Sequence, residues 1–161
     1  MPLTQFFKIN VDGALKTNDS MRGLGVVIRD DCEELIAATT KPVCGMFTPN
    51  ITELFAIRFG LQLAMDLGLQ HIYLESDAQA AIQMAFQCDA DLSYDGILVN
   101  EIQVLANSFH SCFGKFRPRT CNHVAHSLAC FTLSILDLIV WLEDGLEWLS
   151  LIVTDDVILT S

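Results

Sequence analysis

The hydrophobic period changes at Thr48-Pro49-Asn50, and that switch constrains the fold more than any other feature of the chain. Before it, Phe7 to Asp12 alternates, with Phe7, Ile9 and Val11 on one side and Lys8, Asn10 and Asp12 on the other, as a strand does. Two further β-rich runs, Gly23 to Arg29 and Leu35 to Thr40, are joined through Asp30-Asp31-Cys32-Glu33, so a three-stranded antiparallel meander is expected. After the switch, Leu54, Ile57, Leu61, Ala64 and Met65 recur on one helical face until Gly68 stops the run.

The segment His71 to Ser76 reads as a fourth strand and about Ala78 to Phe86 as a short helix, a β-α-β step that implies a parallel strand pair. A second helical pattern follows from about Ser93 to Phe109, then a fifth strand from Phe113 to Arg117 that Pro118 ends. A last helix is expected from about Asn122 to Leu133 or beyond. No repeat or low-complexity linker divides the 161 residues, so residues 1–135 are expected to fold as one α/β domain, a mixed sheet flanked by helices. Residues 136–161, apolar and carrying Trp141 and Trp148, are expected to form an extension packed on or beside it, since apolar residues at this density are more often core than a stacking surface.

A hydrophobic content of 52% excludes intrinsic disorder. The net charge of −11 argues against tight non-specific nucleic-acid binding, which needs clustered Lys and Arg, and requires a cation between this surface and any phosphate-bearing substrate. Six cysteines lie scattered without C-x-x-C spacing and no secretory leader precedes them, so reduced thiols and an intracellular address, nuclear or cytoplasmic, are expected. The most apolar stretch, about Leu128 to Trp141, is interrupted by Asp137 and too short to span a bilayer. No membrane association and no obligate protein partner are expected.

Three acids sit at the ends of these elements: Asp12 after an apolar strand, Glu53 at the opening of the long helix, Asp77 after the fourth strand. Hard divalent ions take carboxylate oxygens, and paired ions can drive phosphodiester cleavage, so Asp and Glu are the residue types such a site requires. Turn and cap chemistry explains the same residues otherwise, because Asp12-Gly13 and Ser76-Asp77 suit turns and Asn50-Ile-Thr-Glu53 resembles a capping box.

Five segments in register add to this: Asn10-Val-Asp-Gly-Ala14, Gly23-Leu-Gly-Val-Val-Ile-Arg-Asp30, Thr52-Glu-Leu-Phe-Ala56, Glu75-Ser-Asp77 and Asn122-His-Val-Ala-His126-Ser-Leu-Ala129. Together, over about Phe6 to Phe131, they resemble a type 1 ribonuclease H domain, and more narrowly the plant ribonuclease H-like domains of retroelement-derived reverse transcriptases. The resemblance implies a five-stranded mixed sheet of order 3-2-1-4-5 with strands 1–3 antiparallel. It also implies Mg²⁺ dependence and an endonuclease that cleaves the RNA strand of RNA–DNA hybrids by metal-activated water. It places Asp12, Glu53 and Asp77 as metal ligands and catalytic residues, and Gly13, Asn50 and Gln79 against the hybrid, where helix capping is the plainer role for Asn50 and Gln79.

The chain departs from this pattern in its last helix, where a fourth acid is usual and His126 stands. A neutral imidazole is a poor Mg²⁺ ligand, so His126 is expected as a tolerated catalytic-site replacement that weakens a second metal site or favours Mn²⁺, or else as an ordinary helix histidine. The flexible histidine loop before that helix is replaced by Arg117-Pro-Arg119-Thr120, with Arg119 a candidate phosphate contact. The basic, tryptophan-bearing insertion is missing, and Asp89, Asp91 and Asp95 stand there instead, so hybrid affinity should be low and salt-sensitive. Two functions follow: an RNA–DNA hybrid ribonuclease, or a catalytically impaired module of the same fold that binds nucleic acid or protein.

Overall fold

The structure, a computed structural model, describes residues 4–15, 20–87, 94–135 and 139–142. Strands β1 (Phe7–Leu15), β2 (Met21–Arg29) and β3 (Leu35–Cys44) are followed by α1 (Pro49–Asp66), β4 (His71–Ser76), α2 (Gln79–Gln87) and α3 (Tyr94–Asn107). Then come β5 (Ser111–Phe116), a 3-10 turn (Arg119–Cys121), α4 (His123–Ile135) and β6 (Ile139–Leu142). The sheet order is β5-β4-β1-β2-β3-β6, so the expected 3-2-1-4-5 arrangement holds, with one strand added beyond β3. β1, β2 and β3 pair antiparallel, whereas β4 lies parallel to β1 and β5 parallel to β4.

The added strand comes from the stretch expected to be an extension. β6 runs antiparallel to β3 from Ala37↔Leu142 to Thr40↔Ile139 and covers part of that edge. β3 itself continues past the expected end at Thr40 to Cys44, through Pro42. Proline has no N–H to give to a neighbour, and Pro42 lies beyond the span that β6 pairs, where none is asked for. Trp148, Asp89, Asp91 and Cys88 lie outside the described residues.

Helices cover both faces of the sheet. On one, α1, α2 and α3 bury Leu54, Ile57, Leu61, Ile82 and Ile102 against Ile9, Val11 and Leu74. Full burial of each large aliphatic chain contributes roughly 1.5–3 kcal/mol. On the other, α4 packs Val124, Ala125 and Leu128 on Val27 and Ala38. The alternation in β1 therefore sorts residues between two buried faces, and Asn10 and Asp12 are as buried as Ile9 and Val11. α1 starts at Thr48, whose Oγ1 accepts the Ile51 N–H at 3.2 Å, with Pro49 in the first turn. It stops at Gly68, which adopts φ +74 and donates its N–H to Met65 O at 2.9 Å.

Candidate active and metal-binding site

β1 and β4 pair only from Phe7↔Ile72 to Asn10↔Glu75. Beyond Asn10, β1 runs on with β2 as far as Leu15, while β4 ends at Ser76 and the chain turns away at Asp77. The parting of two parallel strands leaves a crevice past the carboxyl end of β4, the usual ligand position in such sheets. Asp12 therefore lies within a strand rather than at its end, and it borders this crevice together with Asp77. Glu53 enters from α1, because Thr48 and not Asn50 caps that helix, and Glu53 is free of capping duty. Its Oε1 accepts the Gly13 N–H at 3.2 Å instead. Asp12, Glu53 and Asp77 each bring a carboxylate oxygen to a cluster whose atoms all lie within 4.8 Å of one another.

Crowded anions out of water resist ionisation. Burial first and the Asp77 charge second push Asp12 above the ordinary aspartate value, against hydrogen bonds to Glu53 and His126 that pull it down. Burial, then the charge of Asp12, pushes Glu53 up to about 10. Asp12 Oδ1 and Glu53 Oε2 are buried and meet no hydrogen-bond donor outside the two carboxyl groups themselves. Leaving a buried polar atom unpaired costs about 1–3 kcal/mol, more for a charged one. An all-oxygen set of this kind is the donor chemistry that a hard divalent cation fits, so these residues could hold a divalent metal ion.

The opposite side of Asp12 is set by how closely α4 approaches β2. A Cβ on Gly23 would lie 2.7 Å from Thr132 Cγ2, and one on Gly25 would lie 2.6 Å from the Ala129 nitrogen, so only glycine allows the helix to sit there. That seam brings His126 Nδ1 to 2.6 Å from Asp12 Oδ2. Asn122, buried at the start of α4, donates Nδ2 to Val11 O at 2.7 Å. Its Oδ1 accepts from Asn10 Nδ2 at 3.1 Å, and Asn10 Nδ2 also reaches Glu75 Oε2 at 3.3 Å. Arg117 Nε closes the chain on Glu75 Oε1 at 3.4 Å. In the sequence, Asn10, Glu75 and Asn122 stand out only as members of the five segments, and Arg117 only beside Arg119 in a turn that could meet phosphate. For Asn10 and Glu75 the signal is present as polar residues at strand positions that a helix on the second face would bury.

An open cleft of about 540 Å³ lies in front of Glu53 and Asp77, with Asn50, Gln79, Phe116 and Arg119 on its walls. Arg119 Nε donates to Asp77 Oδ2 at 3.1 Å, and Asn50 Nδ2 lies 3.0 Å from Met84 Sδ. Gly13 is buried, with its N–H committed to Glu53. Asp95 sits in the first turn of α3, away from these walls. No helix among the described residues is long and apolar enough to cross a membrane.

A profile of the Reverse transcriptase-like family matches residues 10–132, which take in every side chain of the cluster. The chain belongs to that family. Solved structures similar to this reverse transcriptase-like domain are ribonuclease H folds. The N-terminal ribonuclease H domain of a Mycobacterium tuberculosis protein, solved as a fusion with maltose-binding protein, is 22% identical with a TM-score of 0.72, covering 81% of this chain and 95% of that one. Ribonuclease H1 of the halophilic archaeon Halobacterium salinarum is 23% identical with a TM-score of 0.72, covering 81% and 98%. A ribonuclease H1 isolated from compost, solved in complex with an RNA/DNA hybrid, is 18% identical with a TM-score of 0.68, covering 78% and 94%. No curated protein matches the reverse transcriptase-like domain.

Proposed function

We propose that the domain hydrolyses the RNA strand of RNA–DNA hybrids, with Asp12, Glu53 and Asp77 as the ligands of divalent metal. The observation that carries this is the convergence of three carboxylates, opening on a cleft, in which the buried Asp12 Oδ1 and Glu53 Oε2 meet no donor from outside the cluster. Bound Mg²⁺ or Mn²⁺ would supply Lewis-acid chemistry there, activating water and neutralising charge at a phosphodiester. Gly13 holds Glu53 through its N–H, and His126 holds Asp12 through Nδ1, so two of the three ligands are oriented before any ion arrives. Asn50 and Gln79 offer carboxamides on the cleft wall, a chemistry suited to minor-groove edges and 2′-hydroxyls. Arg119, 67% exposed, can turn from Asp77 to a phosphate oxygen of the hybrid.

The test is cleavage of a labelled hybrid in Mg²⁺ or Mn²⁺ by the wild type, Asp12→Asn and Asp77→Asn. Loss of at least a hundredfold in both variants is expected, and activity that survives both substitutions removes the assignment. Two internal contacts favour the second function named above, a binding module without efficient chemistry: the cations Arg119 and, when protonated, His126 already sit on Asp77 and Asp12. Retention of the hybrid with no cleavage in either metal would select that module.

A further inference from the structure

α4 carries two ligand-type side chains that the carboxylate cluster does not use as a pair. His126 and Cys130 stand four residues apart and share one face of the helix. His126 Nε2 lies 3.6 Å from Cys130 Sγ. A tetrahedral Zn²⁺ with bonds of about 2.0–2.1 Å to nitrogen and about 2.3 Å to sulfur holds those two atoms about 3.5 Å apart. The separation already present therefore matches the bite of such an ion.

The other ring nitrogen is arranged as a metal-binding imidazole requires. Nδ1 lies 2.6 Å from Asp12 Oδ2, and in the tautomer protonated at Nδ1 that carboxylate accepts the hydrogen bond and Nε2 is the nitrogen open to a metal. Nε2 lies on the side of the sulfur. Imidazole ligands are commonly fixed by a carboxylate on the far nitrogen, and loss of that partner weakens metal binding about 10–100-fold. His126 is 30% exposed at its side chain and Cys130 is exposed, so an ion has a path in and room for water ligands. Thiolate with imidazole selects softer ions than the all-oxygen cluster beside it, so the two sites differ in the metal they prefer.

We propose that His126 and Cys130 form a binding site for a thiophilic divalent ion of the Zn²⁺ class, with Asp12 orienting the imidazole. On binding, the Cys130 thiol gives its proton to solvent, the thiolate sulfur and the Nε2 lone pair enter the coordination sphere, and two waters complete the tetrahedron. Burial and the nearby Asp12 charge push this thiol up, so uptake at neutral pH displaces a proton rather than meeting a preformed thiolate. Occupancy ties Asp12 Oδ2 to the imidazole and leaves Oδ1 for the carboxylate cluster, linking the two sites through one side chain. The inference stands on the three side chains and holds whether or not the domain is a nuclease.

The test is titration of the full 161-residue chain with Co²⁺ in excess Mg²⁺, read by the thiolate-to-cobalt charge-transfer band in the near ultraviolet. A band that saturates at one Co²⁺ per chain is expected. Cys130→Ser should abolish it, and His126→Gln should raise the midpoint at least tenfold. Both variants should keep the wild-type circular dichroism, because both side chains reach the surface. A band unchanged in Cys130→Ser places the ion on other cysteines and overturns the proposal, as does an unchanged midpoint in His126→Gln. Independently, Zn²⁺ should slow iodoacetamide labelling of Cys130 in the wild type at least tenfold, mapped by peptide mass, while Cys44 and Cys121 keep their rates. No slowing, or equal slowing at all three, also refutes it.

Discussion

Removing the Glu53 charge should stabilise the metal-free protein, because folding forces a proton onto this side chain. Burial and the neighbouring Asp12 hold Glu53 at about 10 in the folded state, against an ordinary value of 4.5 for an exposed glutamate. The folded state binds the proton more tightly than the unfolded one, so the contribution is intact below pH 4.5 and is lost progressively as pH climbs toward 10. Each pH unit in that window costs up to about 1.4 kcal/mol, which by pH 7 sums to about 3 kcal/mol. Relaxation of the cluster lowers this, and Glu53→Gln, neutral in both states and still able to accept the Gly13 N–H, should gain about 1–3 kcal/mol at pH 7. For a domain of this size that is a rise in Tm of roughly 3–9 °C. Thermal melts of both proteins in chelator between pH 5 and 8 should show the gap widening with pH. Saturating Mn²⁺ or Mg²⁺ should reverse the order, since a ligand at a hundred times its Kd adds about 2.7 kcal/mol to the form that binds it. A variant that melts with or below the wild type at pH 7 in chelator, or a gap that does not shrink toward pH 5, would refute the reasoning.

His126→Asp restores an all-carboxylate set around Asp12. It should lower the metal-free Tm, enlarge the rise produced by Mg²⁺ and, on the nuclease proposal, increase hybrid cleavage in Mg²⁺ about tenfold; no change in the metal-induced rise would count against His126 facing the ions. Gly25→Ala places a methyl against the backbone of α4 and should cost about 1–3 kcal/mol in urea unfolding, with a matching loss of metal-induced stabilisation. Asn122→Ala strips Val11 O and the Asn10 amide of a partner at a buried position and should cost about 1–3 kcal/mol in the same assay. A cost below 0.5 kcal/mol, an effect typical of surface changes, would show that water replaces the lost amide.

The element order was legible because each run carries its own period. His71 to Ser76 and the Leu54, Ile57, Leu61 series need no tertiary knowledge to be placed. β6 was not legible, since an apolar tail with neither alternation nor helical spacing gives no period to follow. The cap of α1 is ambiguous in the sequence: Asn50 and Glu53 satisfy the spacing of a capping box, but Thr48 sits before Pro49, and proline at the first helical turn fixes where the helix begins. At the site, motif resemblance brought Asp12, Glu53 and Asp77 forward as a group, and the structure does gather them. The Asn10, Asn122, Glu75 and Arg117 chain is not legible locally, because alternation in β1 separates two faces without telling whether the second is covered. Only the second helix layer, invisible in any local window, turns those amides into buried and therefore obligatory partners.

The glycines of β2 bear on the cluster from the strand beside β1, where Gly25 is the register partner of Asp12. Gly23 and Gly25 bring no functional group to the cluster, yet their missing side chains let α4 settle low enough for its imidazole to reach Asp12. The spacing of the charged groups is thus adjusted like a hinge seated on a shim of zero thickness. Reshaping this pocket for another ion would begin at the helix–sheet seam, where height is set, before any ligand is exchanged.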